Sequence, residues 1–109
     1  MNKQYFYIDS SWDNSSSLSK IAGQLVKESR KKYSKNIYSW QRLERIVDEM
    51  KERGNEIQRE HPRWTKFPDI KLSRNSYTGD AWLRIDKWSF ICRRVNEINI
   101  EEDEEKKVV

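Results

Sequence analysis

The chain has 109 residues and a mass of 13.3 kDa, the size of one ordinary domain. Apolar residues make up 35 % and charged residues 37 %, yet five Trp, five Tyr and three Phe argue against a wholly disordered chain. No run approaches a membrane span, the first residues hold no apolar leader core, and one Cys with one His supplies neither a disulfide nor an ordinary zinc site.

Tyr5-Phe6-Tyr7-Ile8 reads as a short aromatic strand. A serine-rich loop with Trp12 follows, and Ser16 or Ser17 is the expected start of a first helix. Leu18, Ile21, Ala22, Leu25 and Val26 recur at helical spacing, and Asn36 is the expected end. A second helix is expected from about Ile37 to Glu60, on the stripe Trp40, Leu43, Val47, Met50 and Ile57, with Gly54 occupying one position. His61-Pro62 ends it. Two adjacent amphipathic helices predict an antiparallel hairpin.

A Pro-bracketed connector leads to the strand Ile70–Leu72, a turn over 74–80 and the strand Ala81–Asp86. On that strand Leu83 and Ile85 share one face, and Trp82 and Arg84 the other. In Lys87–Ile98 the residues Trp88, Ile91, Cys92, Val95 and Ile98 fit one helix face, so the spacing predicts a final helix. The expected fold is α+β: a single small domain over 1–100, order β-α-α-β-β-α, with a helix hairpin packed on a small antiparallel sheet. Residues 101–109 are expected to form an acidic, disordered tail.

The net charge is +4. The segment 101–107 holds five of the 18 acids and two of the 22 bases, so residues 1–100 carry 20 bases against 13 acids, a net +7. A basic body suits a polyanion partner, for which the acidic segment would compete. A solubilising tail on a lysine-rich surface is the plainer alternative.

No motif signals catalysis, a metal site or a cofactor. Cys92 falls on an apolar face, where a cysteine is an inert small hydrophobe. Asp9 and Asp13 suit backbone capping, and the three glycines form no phosphate loop. The basic and aromatic residues are the better lead, because phosphates take Lys and Arg and unpaired bases take aromatic planes. Lys27, Arg30, Lys31, Lys32 and Lys35 cluster at the end of the first helix, Arg74 and Tyr77 lie in the turn, Trp82 and Arg84 share a strand face, and Arg93 and Arg94 extend the set. The alternative is a solvated lysine cluster and a Trp82 covered by a helix.

Residues 69–98 hold Ile70-Lys71-Leu72-Ser73, a polar turn with Ser76 and Gly79, then Trp82-Leu83-Arg84-Ile85 and the expected helix. This stretch resembles a segment of a broad-spectrum type II anti-CRISPR protein of streptococcal phages. The resemblance implies a phage inhibitor that binds a Cas nuclease or its guide RNA. Leu83–Cys92 is similar to the central strand-turn-strand of RelE/ParE-type toxins, a family with a strand, a helix hairpin and then consecutive strands. That resemblance implies a ribosome-dependent mRNA ribonuclease and requires 88–95 to be a strand; Ser89 stands where the family usually has Arg, and Cys92 where an aromatic is usual.

The leading expectation is a non-enzymatic, cytoplasmic binding protein of phage or mobile-element type. It engages nucleic acid or a nucleoprotein complex, without a cofactor or membrane contact, as a monomer or homodimer. The alternatives are the toxin and a protein–protein adaptor dimerising through the Trp40–Ile57 stripe.

Overall fold

The computed structural model describes residues 4–9, 18–33 and 36–95. Trp12, Ser16, Ser17, Lys35, Ile98 and the acidic segment 101–109 lie outside the described residues. In chain order the elements are β1 (Tyr5–Asp9), α1 (Lys20–Tyr33), β2 (Ile37–Ser39), α2 (Trp40–Glu60), β3 (Ile70–Arg74), β4 (Ala81–Ile85) and β5 (Trp88–Val95). The strands form one antiparallel sheet in the order β2-β1-β5-β4-β3.

Both helices pack on one side of this sheet. Ser19 opens α1: its Oγ accepts the Ala22 N–H at 3.2 Å. Ile21, Ala22, Leu25, Val26, Ser29 and Tyr33 form the buried stripe. The helix starts beside the β4–β5 turn, where Ser19 Oγ donates to Asp86 Oδ2 at 3.1 Å. It ends beside β2, where Tyr33 meets Tyr38 edge-on with ring centroids 6.2 Å apart.

The second helix starts with its apolar stripe at Trp40, three residues later than the expected Ile37. Ser39 is extended (φ −72°, ψ 166°), and its Oγ accepts the Arg42 N–H at 3.2 Å. Ile37–Ser39, expected as the first residues of that helix, instead pair with Tyr5–Tyr7 as β2. At the other end the His61 N–H donates to the Ile57 carbonyl at 2.8 Å, and Pro62 follows. Leu43, Ile46, Val47, Met50, Gly54 and Ile57 are buried against the core. The stripe is therefore largely covered within one chain, with Trp40 half-buried at its start.

The expected order β-α-α-β-β-α holds in outline, and the α+β class with a helix pair on an antiparallel sheet stands. The last element does not: 88–95 is a strand, not a helix. Ile85 pairs with Trp88 across the two-residue turn Asp86-Lys87, and Asp86 takes a positive φ of 53°. Such a turn closes a tight hairpin. Trp88, Phe90 and Cys92 then face the helices, and Ile91 and Val95 face the other side, half-buried. Pairing with both β1 and β4 satisfies the backbone of β5 on both edges, which local helical periodicity does not register.

The core lies between the sheet and the helices. Its largest fully buried side chains include Trp88, Phe6, Phe90, Leu25, Leu43 and Leu83. Each such apolar side chain contributes about 1.5–3 kcal/mol by leaving water.

Candidate nucleic-acid interface

Strand alternation divides the sheet into two faces. Ile70 and Leu72, Leu83 and Ile85, Phe90 and Cys92, Phe6 and Ile8, and Tyr38 face the helices. The opposite, open face carries Tyr5 and Tyr7, Ile91 and Arg93, Trp82 and Arg84, and Lys71 and Ser73. No described helix packs on it. Tyr7 is 41 % exposed, Lys71, Ser73, Arg84 and Arg93 are exposed, and Trp82 is half-buried.

The register builds one row of this face from Lys71, Arg84 and Ser89, side by side on β3, β4 and β5. Two cations therefore stand directly opposite each other. Asp69 approaches Lys71 at 3.5 Å, but among the described residues no carboxylate pairs with Arg84. Arg93 is held differently, 4.0 Å from Asp9 and 3.7 Å from Asp80. Trp82 lies one row along from Arg84, opposite Ser73 and Ile91.

The expected site residues do not form one patch. Trp82, Arg84 and Arg93 share the open face. Arg94, its immediate neighbour, points to the helix side, because consecutive strand residues alternate; both belong to β5 and not to the helix expected there. Arg74 is the last residue of β3 and also points to the helix side. Its guanidinium lies over the rings of Trp40 (5.2 Å) and Phe6 (5.9 Å) and covers that end of the core. Arg94 packs against Gly79, whose φ of +79° and missing Cβ admit it: a Cβ there would stand 3.0 Å from Nη1. Tyr77, 97 % exposed, sits at the tip of the β3–β4 turn, where Asn75 Oδ1 accepts the Tyr77 N–H at 2.9 Å.

Lys27, Arg30, Lys31 and Lys32 are exposed on α1, in the helical layer and away from the open face. Arg30 lies 5.2 Å over the Trp88 ring and joins the helix to the sheet. Lys32 lies 5.2 Å over the Tyr33 ring. Lys35 is outside the described residues.

A groove of about 400 Å³ runs between α1 and α2, with Leu25 and Met50 among its lining. Four carboxylates, Glu28, Glu49, Glu52 and Glu56, face only Lys32 and Arg53 there, the wrong sign for a polyanion. The Tyr33 hydroxyl donates to Glu49 at 2.7 Å, and burial first, then that bond, raises its pKa.

Cys92 is fully buried, and burial pushes its thiol up to about 12, so it supplies no nucleophile at neutral pH. Among the described residues, no three His, Cys, Asp or Glu side chains are grouped to hold a metal ion, and no helix is long and apolar enough to cross a membrane.

Sequence reasoning missed Lys71 and Tyr7 as members of the open face. Alternation alone could place Lys71 with Ser73. That it meets Arg84 depends on the strand register, which the sequence does not print. No family model matches the chain, and no curated protein or solved structure matches it closely enough to be a relative.

Proposed function

We propose that the chain is a non-enzymatic binding module that holds single-stranded nucleic acid, alone or within a nucleoprotein, on the open face of its sheet. The observation that carries this reading is the Lys71–Arg84 row with Trp82 one row along, on the face that also carries Tyr7 two strands away. Cations on neighbouring strands take phosphates, and flat rings on the same sheet take bases. An inhibitor of a host defence nuclease, the role implied by the resemblance over 69–98, would use such a face against a guide RNA, although the final helix of that resemblance is here the strand β5. The test is fluorescence anisotropy of labelled single-stranded RNA and of duplex DNA at about 50 and 200 mM salt. Tighter binding to the single strand, falling steeply with salt, supports the reading, because each neutralised phosphate releases counterions. No binding to either at low salt removes it.

One observation favours a second reading. The RelE/ParE resemblance requires a strand where β5 stands, and the order strand, helix pair, consecutive strands is present with β2 added. Ser89, at the position where that family usually has Arg, is buried beside Arg84. Growth arrest on expression, with cleavage of translated mRNA, would select this reading over simple binding.

A further inference from the structure

We propose that the connector between α2 and β3 carries a second nucleobase site, built on His61 and Trp64, for the same strand held on the open face. The proposal thus rests on the nucleic-acid reading above and extends its footprint. The two rings lie parallel, 12° apart in tilt, with centroids 3.9 Å apart. Trp64 is half-buried against the core and is the supported ring. His61 is exposed and stacks on it from outside, leaving its other face for a further flat ring.

The backbone that carries the pair is fixed in advance. The His61 N–H donates to the Ile57 carbonyl at 2.8 Å, and the Trp64 N–H to the His61 carbonyl at 2.9 Å. Gln58 Nε2 adds a bond to the Thr65 carbonyl at 3.4 Å. A ring held before its ligand arrives loses little freedom on binding.

The charge around it has the sign a phosphate chain needs. Arg59, Arg63 and Lys66 are exposed, and among the described residues none pairs with a carboxylate. The neighbouring Glu60 is engaged by Arg53 at 3.0 Å. A parallel ring stack among unpaired cations matches a base carried on a phosphate backbone.

The connector also leads into the open face. The Asp69 N–H donates to Asp86 Oδ1 at 2.9 Å, and the Asp86 N–H to the Asp69 carbonyl at 2.8 Å. These bonds tie the end of the connector to the β4–β5 turn, where Lys87 is exposed. Two residues beyond Asp69, Lys71 meets Arg84. The connector that carries the His61–Trp64 stack therefore joins the sheet at the end where this row lies.

The test uses labelled oligoribonucleotides of three and twelve nucleotides with the full chain. The short one is expected to occupy the open face alone, and the long one to reach the connector as well. His61→Ala is expected to weaken the twelve-mer about fivefold or more, the effect of losing one stacked base. It leaves the trimer unchanged, and His61→Phe, which keeps a ring, restores the affinity. Arg63→Gln with Lys66→Gln should flatten the salt slope of the twelve-mer by roughly 1.4, as expected for two phosphates on a single strand. Parental twelve-mer affinity in His61→Ala, alongside impaired binding in Arg84→Ala, overturns the second site and leaves the open face standing. Equal losses for both oligonucleotides in His61→Ala also overturn it. Failure of the parent chain to bind either one removes both proposals together.

Discussion

Lys71 on β3 and Arg84 on β4 stand directly opposite each other on the open face, two like charges at a cross-strand position where unlike charges stabilise a sheet. Such an arrangement sacrifices stability for a local field. Arg84→Glu is therefore expected to raise the unfolding free energy by about 0.2–1 kcal/mol in a urea titration, because it creates an opposite-charge pair. The same variant should bind single-stranded RNA roughly tenfold more weakly at low salt. Parental affinity in a more stable Arg84→Glu would show that the row serves no phosphate.

Charge removal also separates the two basic surfaces. Lys31 and Lys32 lie on α1 in the helical layer, and Lys71 and Arg84 on the open face. Lys71→Gln with Arg84→Gln should flatten the salt dependence of RNA binding by roughly 1.4. Lys31→Gln with Lys32→Gln should leave affinity nearly unchanged at about 200 mM salt, because the long-range attraction of charges away from the interface is screened there. The reverse pattern would move the interface to the helices.

The two helices are clamped by a pair that responds to acid. Arg53 donates from Nε to Glu28 Oε1 at 2.8 Å and from Nη2 to Oε2 at 2.9 Å. The Arg53 hydrogen bonds, opposed by partial burial, hold the Glu28 carboxyl below its ordinary 4.5. A carboxylate with a depressed folded pKa contributes stability above its unfolded pKa and loses it as pH falls through the folded value. Both side chains are about a third exposed, so the contribution stays within about 1 kcal/mol. Denaturation of Glu28→Gln against the parent should show a difference at pH 7 that shrinks below pH 4.5.

Gly54 lies inside α2, and its missing Cβ makes room for a ring. A Cβ there would stand 3.1 Å from Phe67 Cζ and 3.4 Å from Leu25 Cδ1. Replacing Gly by Ala favours the helix by about 1 kcal/mol. Phe67 belongs to an exposed connector and is itself 37 % exposed, so the ring can yield at some loss of packing. Gly54→Ala should thus move the urea midpoint little, whereas Gly54→Leu should destabilise by about 1–3 kcal/mol through overpacking.

Cys92 gives a test that does not depend on ligand. Burial, with a thiol pushed up to about 12, predicts no labelling by a thiol reagent at pH 8 in the native state and complete labelling in urea. Rapid native labelling would mean that β5 opens readily.

Much of the fold is legible in particular residues. The stripes of α1 and α2, the His61-Pro62 stop and the alternation of Ala81–Ile85 each have one local solution, and each appears. Trp88–Val95 has two: Trp88, Ile91, Cys92 and Val95 satisfy a helix face, while Trp88, Phe90 and Cys92 satisfy a strand face. The choice is made by β1 and β4 on either side, partners distant in sequence or set by a hairpin. Asp86-Lys87 between two alternating runs was the available hairpin signal. For the site, Trp82 and Arg84 on one face follow from alternation. The separation of Arg74 and Arg94 from them depends on strand bounds, and the meeting of Lys71 with Arg84 on register, a long-range property.

The sheet also dictates an order of events in synthesis. β5 is the last described strand to emerge, yet it lies in the middle of the sheet, between β1 and β4. Until Val95 has left the ribosome, β1 has only the short β2 to pair with, and β3–β4 stands apart as a lone hairpin. The nascent chain therefore carries the unpaired inner edge of β1 for most of its translation, joined by that of β4 only near the end, a state prone to association with other chains. Folding closes late and in one step, when the first and last strands meet across more than eighty residues of chain.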